Sequence, residues 1–334
     1  MSLIYKNVLI TGGSGFIGSN FLKLILEKYP NTNFINLDLL TYASNKKNTE
    51  SFYDFKNYFF YKGDICDFDL VSKIFVNHNV DALINFAAES HVDNSIINPH
   101  LFIKTNVLGT HNLLKVSLKH WMKSPHIYKT DYKNSRFHQI STDEVYGSIL
   151  DGSFKESSNY SPNSPYSASK ASADMLVRSY HKTYGLNTTI TLSSNNYGPG
   201  QHDEKFIPTI IKSLLNDKEI PLYGSGDNVR DWIFVVENCK AIEMVFKNGI
   251  SGESYNIGAK NELTNNDLIN KIYNIYSSNK DYPDRKLKVK FVNDRFGHDF
   301  RYSLDISKIK KLGWRLSNDN DKHLIELIDN YILN

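Results

Sequence analysis

A glycine-rich turn lies between a short apolar strand and an amphipathic helix near the start of this 334-residue chain. Asn7–Thr11 has the composition of a buried strand, and residues 12–18 (Gly-Gly-Ser-Gly-Phe-Ile-Gly) follow it directly. Phe21, Leu22 and Ile25 then fall on one apolar stripe, which predicts a helix. Glycines permit the tight turn, and the helix N-terminus offers N–H donors to a pyrophosphate. The pattern predicts a Rossmann-type α/β fold with a doubly wound parallel sheet that binds a dinucleotide.

The second predicted strand ends in an acidic residue. It covers residues 33–37, and Asp38 follows it, twenty residues after Gly18. A carboxylate at this point accepts hydrogen bonds from an adenosine ribose and repels a 2′-phosphate. Leu39 occupies the position at which an NADP enzyme can carry an arginine. These residues favour NAD over NADP as the cofactor.

Two further predicted strands end in residues suited to a ligand. Tyr58–Lys62 is followed by Asp64, and residues 82–87 are followed by Ala88. The carboxyl ends of parallel strands form the edge at which an open α/β sheet binds its ligand. Small side chains there let a cofactor lie against the backbone. Asp64 has a second interpretation, because an acidic residue just before the helix predicted at 67–76 can cap that helix instead.

A polar pair interrupts the apolar face of a long helix predicted at 101–119. Thr105 and Asn106 occupy positions at which the helical period expects apolar side chains. Polar residues inside such a face either form hydrogen bonds within the packed interior or contact a cofactor. The sequence leaves both interpretations open.

Tyr166 and Lys170 are four residues apart in a helix predicted at 166–184. Their side chains therefore lie on the same helix face. Because a nearby cation lowers the pKa of a tyrosine from its ordinary value of about 10, we expect Lys170 to help Tyr166 accept a proton from an alcohol. In a chain with 21 tyrosines, an exposed pair without function is the alternative.

Adjacent acidic residues follow the fifth predicted strand, at 137–141. Thr142, Asp143 and Glu144 therefore emerge at the ligand edge of the sheet. Two neighbouring carboxyl groups can act as acid and base when their surroundings separate their pKa values. The alternative is a solvated turn that caps a short helix. The Tyr/Lys pair nearby favours the catalytic interpretation.

Composition limits the class of protein and its partners. The length accommodates two domains, and the net charge of +3 comes without a basic run, so we expect no nucleic-acid partner. Cys66 and Cys239 lack the spacing of a zinc or redox site, so we expect no metal. Residues 1–10 lack the long apolar region of a signal peptide, and no later stretch is long and apolar enough to cross a bilayer. We therefore expect a cytoplasmic protein without a membrane partner.

Three motifs occur together in this sequence: Thr-Gly-Gly-Ser-Gly-Phe-Ile-Gly at 11–18, Ser-Thr-Asp-Glu-Val-Tyr-Gly at 141–147 and Tyr-Ser-Ala-Ser-Lys at 166–170. The combination resembles the extended short-chain dehydrogenase/reductase family. Within that family, the triplet Thr-Asp-Glu at 142–144 resembles the dTDP-glucose 4,6-dehydratases in particular. Further matches, including Asn-Val-Arg-Asp-Trp at 228–232, extend the likeness over roughly residues 5 to 315.

The resemblance implies a three-step reaction on a hexose that is linked to a nucleoside diphosphate. Tyr166 accepts the C4 hydroxyl proton while hydride passes from C4 to NAD⁺, and Thr142 hydrogen-bonds the C4 oxygen. Glu144 then removes the C5 hydrogen, and Asp143 protonates the C6 hydroxyl as it leaves as water. The hydride finally returns to C6, so tightly held NAD⁺ is regenerated in each turnover. For dTDP-glucose the product is dTDP-4-keto-6-deoxyglucose, which makes the implied enzyme a hydro-lyase of deoxysugar biosynthesis.

The resemblance also implies the contacts of the two ligands. Arg230 and Arg295 are candidates for the diphosphate, because guanidinium groups match phosphate oxygens. Surface ion pairs with Asp227, Asp231 and Asp294 are the alternative for these arginines. The expected cofactor contacts are Gly12, Gly15, Phe16, Ile17, Gly18, Asp38, Leu39, Thr41, Asp64, Ile65, Ala87, Ala88, Thr105, Tyr166, Lys170 and Asn196. The expected substrate contacts are Ser90, Thr142, Asn195, Lys205, Phe206, Pro221, Tyr223, Arg230, Asn265, Arg295, His298 and Tyr302.

Two discontinuous domains and a homodimer are implied as well. Residues 1–192 and 230–258 would form the NAD-binding domain, and residues 193–229 and 259–334 a smaller mixed α/β domain for the nucleotide sugar. The dimer would form through the helices around 101–119 and 166–184.

Two departures from the family pattern concern specificity. Phe296 stands where the family usually has proline, and Asn94 where arginine is common. A 4,6-dehydratase or an epimerase for another nucleotide sugar (UDP- or CDP-linked) is therefore the first alternative. An NAD-binding scaffold without catalysis is the second.

Overall fold

A parallel sheet of seven strands lies at the centre of the computed structural model, which describes residues 2–44, 46–317 and 319–333. The strands are β1 Asn7–Thr11, β2 Asn33–Asp38, β3 Tyr58–Lys62, β4 Ala82–Asn85, β5 Met122–Ser124, β6 Ile127–Tyr128, β7 Arg136–Thr142, β8 Thr188–Ser193, β9 Asn195–Tyr197, β10 Ile220–Tyr223, β11 Val229–Phe234, β12 Ser254–Ile257, β13 Glu262–Thr264 and β14 Val289–Val292. The large sheet has the order β12-β8-β7-β4-β1-β2-β3, and β5 and β6 form a small separate hairpin.

The inner strands of the large sheet are buried because helices cover both of its faces, whereas the edge strand β3 is only partly buried. Val8, Leu9 and Ile10 of β1 have no exposed surface, and all six residues of β8 are buried. Such continuous burial is typical of parallel strands, whose crossover connections place helices above and below the sheet. The predicted Rossmann-type α/β fold is confirmed.

The direction of winding reverses between β1 and β4. From β1 the chain proceeds outward to β2 and β3, and it then returns to β4 and continues to β12 on the other side. Thr11, at the end of β1, is accordingly paired with Leu37 on one side and with Asn85 on the other. The connections that follow β1 and β4 diverge at this point, which leaves a crevice at the carboxyl edge of the sheet.

The helices form two layers around the sheet and a third group beyond it. They are α1 Phe16–Leu26, α2 Phe68–His78, α3 Val92–Ile97, α4 Pro99–Phe102, α5 Thr110–Trp121, α6 Pro165–Tyr184, α7 Phe206–Leu215, α8 Val235–Asn248, α9 Asn265–Ser278, α10 Ser307–Lys311 and α11 Asn320–Leu333, with short 3₁₀ helices at Lys46–Asn48, Glu50–Asp54, Thr130–Tyr132 and Asp143–Tyr146. Helices α1 and α8 pack together, whereas α5 packs against both α2 and α6. No helix in the described part of the chain is long and apolar enough to cross a membrane.

The long helix predicted at 101–119 is divided by a segment with a wider turn. Residues Ile103–Gly109 form a π-helix between α4 and α5. This segment contains Thr105 and Asn106, the two residues that interrupt the apolar period. Single π-turns inside helices are frequent at functional sites, because they redirect side chains that a regular helix would hold in register.

A second hydrophobic core lies beyond the large sheet, under α7, α9 and α11. It includes Ile210, Trp232, Leu268 and Leu324. Two small sheets flank it, one in the order β13-β11-β9 and the other formed by β10 and β14. The smaller mixed α/β unit expected from the sequence therefore has its own core.

Residues 230–258, expected to belong to the NAD-binding domain, contribute strands to two different sheets. β12 joins the large sheet, next to β8. β11 instead pairs with β9 and β13. Successive side chains of β11 point to opposite sides of the strand. Trp232 therefore packs into the second core, while Ile233 packs into the first.

Candidate active site

The backbone of the glycine turn is packed so closely that side chains cannot replace Gly12 or Gly18. Gly12 has φ +70°, and a Cβ atom on it would lie 2.6 Å from the Ala87 nitrogen. A Cβ atom on Gly18 would lie 2.3 Å from the Gly12 carbonyl oxygen. Such distances to backbone atoms are too short for any side chain. The turn thus leaves a cradle of backbone at the N-terminus of α1, and this cradle fits the pyrophosphate of a dinucleotide.

The cleft above this turn collects almost all of the expected cofactor residues. Every one of them lines the cleft except Asn196, whose side-chain amide donates to the Ser194 carbonyl. The structure therefore does not bring Asn196 into the cleft. The lining also contains residues that the sequence did not suggest, namely Leu37, Ala43, Ser44, Gly63, Phe86, Glu89, Gln201, His202 and Glu204.

Asp38 lies where the sequence predicted, at the end of β2 in the cleft wall. One carboxylate oxygen accepts from the Ser14 amide at 2.9 Å, and the other accepts from the Leu40 amide at 2.8 Å and the Ser44 hydroxyl at 3.0 Å. These bonds fix the orientation of the carboxylate next to the glycine turn. Leu39 beside it is 46% exposed, and its apolar side chain offers no charge to a 2′-phosphate.

Asp64 is not the cap of α2. That role belongs to Asp67, whose side chain accepts from the Leu70 amide at 2.9 Å. Asp64 instead lines the cleft, accepts from the Cys66 amide at 2.9 Å and forms an ion pair with Lys104 at 3.3 Å. Of the two interpretations, the structure supports a position in the cleft.

Asn106, in the π-segment, joins two walls of the cleft. Its Nδ2 atom donates to the Glu89 carbonyl at 3.0 Å and to the Ser169 hydroxyl at 2.8 Å, and its Oδ1 atom accepts from the Glu89 amide at 2.9 Å. The connection after β4 is thereby held against α6, next to Tyr166 and Lys170. The polarity of Asn106 in an apolar helix face marked this residue as unusual. The sequence did not indicate its partners.

The acidic pair sits at the carboxyl end of β7, in a short 3₁₀ helix. Thr142 caps this helix by accepting from the Glu144 amide at 3.3 Å, and its hydroxyl donates to Asp143 at 3.3 Å. Asp143 is 2% exposed, and its Oδ2 atom has no hydrogen-bond partner among the described residues. The interpretation as a solvated turn is therefore wrong for Asp143.

Different charges surround the two carboxyl groups. Burial raises the pKa of Asp143 well above its ordinary value, Glu144 and Asp231 raise it further, and Arg230 opposes them. Burial also raises the pKa of Glu144, but three cations, Arg295, Arg230 and Lys205, oppose that rise. Asp143 therefore keeps its proton to a higher pH than Glu144 does. A neutral acid next to a carboxylate is the pair that acid–base chemistry requires.

Tyr166 and Lys170 are both buried on one face of α6, and burial shifts the pKa of each. Burial raises the pKa of Tyr166, and the charge of Glu144 raises it further. Lys170 donates to the Ile140 carbonyl at 2.6 Å, and burial lowers its pKa to about 8. Burial and Glu144 therefore outweigh any lowering of the pKa of Tyr166 by Lys170, and the help that Lys170 gives Tyr166 in accepting a proton stays a prediction.

Three cations converge on Glu144 from the second unit and from strand β11. Arg230 is 5% exposed, donates to the carbonyl oxygens of Val229, Asp299 and Phe300, and lies with its guanidinium 4.4 Å from the centroid of the Tyr302 ring. The predicted alternative of surface ion pairs does not apply to it. Lys205 is half-buried, and its Nζ donates to the Ser90 carbonyl at 3.3 Å.

Of these three cations, Arg295 makes the weakest contacts with other charged or polar groups of the protein. Its Nη1 atom lies 4.0 Å from an oxygen of Asp93, and its Nε atom is buried without a hydrogen-bond partner in the described ranges. Asp294 does not pair with it through the side chain, because Asp294 accepts from His298 at 2.7 Å. Arg295 therefore has donors free for an anionic ligand.

The other expected substrate residues surround these cations or lie on the second unit. Tyr302 donates to Asp299 at 2.7 Å, and Tyr223 donates to Asp93 at 3.2 Å and contacts His298 edge-on. Burial lowers the pKa of His298 to about 4. Asn195 lies in β9, Phe206 begins α7 and stacks on Trp232, Pro221 is exposed in β10, and Asn265 begins α9. Across the described ranges, no group of three or more His, Cys, Asp or Glu side chains is arranged to hold a metal ion.

Comparison with known proteins identifies the family. The sequence model of the family described as GDP-mannose 4,6 dehydratase matches residues 9–326. The dTDP-glucose 4,6-dehydratase of Haemophilus influenzae is 43% identical over 336 residues, and the low-salt glycan biosynthesis protein Agl12 of Haloferax volcanii is 44% identical over 326 residues, each alignment covering 98% of both chains. A crystal structure of the dTDP-glucose 4,6-dehydratase from Streptomyces venezuelae, with NAD and TYD bound, has a TM-score of 0.88 at 42% identity and covers 98% of this chain and 97% of that one. The chain belongs to the dTDP-glucose 4,6-dehydratase family.

The dTDP-glucose 4,6-dehydratase family shares its fold with sugar epimerases. The UDP-glucose 4-epimerase of Thermotoga maritima has a TM-score of 0.85, covers 98% of this chain and 99% of that one, and is 26% identical. Because the TM-scores are so close, the fold alone does not separate the two activities. The identity of 42% to a solved dehydratase does, and it agrees with the acidic pair at 143 and 144.

Proposed function

We propose that this protein is an NAD-dependent hydro-lyase that converts dTDP-glucose into dTDP-4-keto-6-deoxyglucose. The observation that carries the proposal is the pair Asp143 and Glu144, which lies beside Tyr166 and in which one carboxyl group holds its proton more firmly than the other. A simple dehydrogenase needs one proton acceptor. Elimination of water next to a ketone needs a base and an acid together.

The glycine turn and the cleft fit NAD. Gly12, Gly15 and Gly18 would hold the pyrophosphate, Asp38 the adenosine ribose, and the walls formed by Asp64 and Thr105 the rest of the dinucleotide. When bound, NAD accepts a hydride from the sugar, gives it back later, and contributes the positive charge of its oxidised ring.

The first task of the chain is to accept the C4 hydroxyl proton. Tyr166 is the group proposed for it, with Thr142 as the hydrogen-bond partner of the same oxygen. Burial and Glu144 raise the pKa of Tyr166, so the phenol must first release its own proton. Positive charge close to the phenol favours its release, and Lys170 lies on the same face of α6.

The second task is to remove water across C5 and C6. A ketone at C4 acidifies the C5 hydrogen, and Glu144, the more readily ionised carboxyl group of the pair, would remove it. Asp143 would give its proton to the C6 hydroxyl, which then leaves as water. The division follows from the surroundings, because three cations favour the ionised form of Glu144 while burial keeps Asp143 neutral.

The cations around Glu144 would also hold the diphosphate of the substrate. Arg295 and Lys205 have N–H donors available for phosphate oxygens, whereas Arg230 donates three hydrogen bonds to carbonyl oxygens of the protein. We therefore assign direct phosphate contact chiefly to Arg295 and Lys205 and give Arg230 a share in placing the 299–302 segment. Phosphate oxygens match both side chains.

The division into an NAD-binding domain (1–192 and 230–258) and a nucleotide-sugar domain (193–229 and 259–334) is part of the proposal. Two separate hydrophobic cores support it. Strand β11 forms the boundary, because its residues contribute to both.

A homodimer and a cytoplasmic location are proposed as well. Exposed apolar side chains on neighbouring elements support the dimer: Leu101 is 38% exposed, Ile103 51%, Leu108 54% and Met175 48%. Both cysteines are free thiols, which is typical of proteins in a reducing compartment.

The experiment that tests the function is incubation of the purified protein with dTDP-, UDP- and CDP-glucose without added reductant. We expect loss of one water from dTDP-glucose, a 4-keto-6-deoxy product by NMR, and no net NADH. Tyr166→Phe is the control and should form none of this product. An isomer of unchanged mass would indicate an epimerase, and an unchanged sugar a scaffold, so either result would contradict the proposal.

A further inference from the structure

Helix α6 buries a second ionisable group behind Lys170. Asp174 has no exposed surface. Its Oδ2 atom accepts hydrogen bonds from the Ser141 hydroxyl at 2.5 Å and from the Tyr160 hydroxyl at 3.2 Å. Its Oδ1 atom is buried and has no hydrogen-bond partner in the described part of the chain. No step of the proposed reaction uses this carboxyl group, so its burial requires another explanation.

Lys170 lacks a compensating charge within its own hydrogen-bond shell. Its ammonium donates to the carbonyl oxygen of Ile140, which carries no net charge. A buried ammonium needs an anion nearby to remain protonated. Asp174 follows Lys170 by four residues and shares its helix face. Burial lowers the pKa of Lys170, and the charge of Asp174 opposes that effect.

The groups around Asp174 favour its ionised form at neutral pH. Burial raises its pKa to about 6, while Lys170, the hydroxyl groups of Ser141 and Tyr160, and the Arg178 guanidinium oppose the rise. The remaining titratable neighbours are Tyr146, on the 3₁₀ helix after β7, and Tyr166, on α6 itself. Burial raises the pKa of both phenols, so both stay neutral. Above pH 6, Asp174 therefore presents a negative charge to Lys170.

We propose that Asp174 is the counter-ion that keeps Lys170 cationic inside the site and thereby sets the alkaline limit of catalysis. Asp174 does not line the cleft. It is a positioning residue that acts through Lys170. The inference rests on the proposed function, because that function requires a positive charge next to Tyr166. Without the charge of Asp174, Lys170 releases its proton at a lower pH.

Asp174→Asn tests this inference. The amide keeps an acceptor oxygen for Ser141 and Tyr160 but carries no charge. We expect the alkaline limb of kcat/KM for dTDP-glucose to move down by about one pH unit, the order expected for one buried charge a helical turn away. Tyr160→Phe is the matched control, because it removes one hydrogen bond and leaves Asp174 ionised at alkaline pH. Its limb should stay at the wild-type position.

A purely structural role predicts a different pattern. It would lower activity by the same factor at every pH in Asp174→Asn, without moving the limb, and this result would overturn the proposal. Asp174→Leu removes the charge with an apolar side chain of similar shape. It replaces Asp174→Asn if the amide variant does not fold.

A second measurement does not depend on turnover. NMR of protein labelled with ¹³C at the lysine Cε follows the protonation of Lys170, whose signal is identified by its loss in Lys170→Arg. The midpoint should be lower in Asp174→Asn than in the wild type and Tyr160→Phe. If the wild type makes no 4-keto sugar, the proposed function fails while this titration still decides the role of Asp174. Equal midpoints in all three proteins would refute the counter-ion.

Discussion

Among single residues, the acidic pair shows how two neighbours in sequence acquire different tasks. Asp143 is buried, and one of its oxygens has no partner among the described residues. Glu144 faces Lys205, Arg230 and Arg295, which oppose the effect of burial on its pKa. The difference comes from outside the large sheet, because Lys205 and Arg295 lie on the second unit and Arg230 lies on the boundary strand β11. Acid and base are thus separated before any substrate binds.

Glu144→Gln should separate the removal of the C5 hydrogen from the rest of the reaction. The amide keeps the shape but cannot accept the proton, so we expect kcat to fall by about 10²- to 10⁴-fold. Incorporation of solvent deuterium at C5, measured by mass spectrometry, should fall in parallel. Asp143→Asn is the matched variant, which should retain C5 exchange and slow the loss of water. Wild-type deuterium incorporation in Glu144→Gln would refute its role as the base.

Local spacing predicted which residues meet at the site but not how they titrate. Tyr166 and Lys170 share a helix face because they are four residues apart, and this geometry needs no tertiary information. The pKa of Tyr166 depends on Glu144 and on burial, both of which come from other parts of the fold. The partner of Lys170, the Ile140 carbonyl, is a backbone atom that no side-chain pattern reveals.

Among elements, the π-segment between α4 and α5 has the most specific effect on the site. Its wider turn allows Asn106 to reach out of the helix and bond both the connection after β4 and helix α6. These two elements carry Glu89 and Ser169 and form opposite walls of the cleft. The segment therefore fixes the distance between the cofactor wall and the helix that carries Tyr166.

Asn106→Ala should loosen this connection. It leaves the amide and carbonyl of Glu89 and the hydroxyl of Ser169 without their partner, so we expect the free energy of unfolding to fall by about 2–4 kcal/mol. The NAD content of the purified protein should fall as well. Asn106→Asp keeps an acceptor for the Glu89 amide and should lose less stability. An unchanged denaturant midpoint and an unchanged NAD content in Asn106→Ala would show that the hydrogen bonds of Asn106 do not stabilise the protein or its NAD site.

The regular elements could be predicted because their patterns are local. Apolar strands and the stripe of α1 follow from the sequence, and the predicted strands Asn7–Thr11 and Tyr58–Lys62 have the same bounds in the structure. The sequence pattern did not reveal that β11 is shared, because one strand supplies side chains to two cores. The π-segment could not be predicted either, because a polar residue in an apolar helix face does not indicate which groups it will hydrogen-bond.

The whole molecule divides its chemistry between two cores that meet at one cleft. The large sheet supplies the cradle for NAD, together with Thr142, Asp143, Glu144 and the helix of Tyr166 and Lys170. The second unit and strand β11 supply the cations that set the charge around Glu144. Neither unit has a complete site, so catalysis as proposed depends on their relative position. Strand β11 and the 299–302 segment, joined by Arg230, connect the two.

A dimer would cover the apolar side chains that the monomer leaves exposed. Leu108 and Met175 lie on the neighbouring elements that lead into α5 and form α6, and both are about half exposed. Such side chains close together on one surface indicate a protein partner. Leu108→Arg combined with Met175→Asp should therefore convert a dimer into a monomer in analytical ultracentrifugation. Phe291→Asp is the matched control, because Phe291 is 61% exposed in β14 of the second unit, and its variant should remain dimeric. A wild-type monomer at all concentrations, or a dimer that survives the double substitution, would refute this interface.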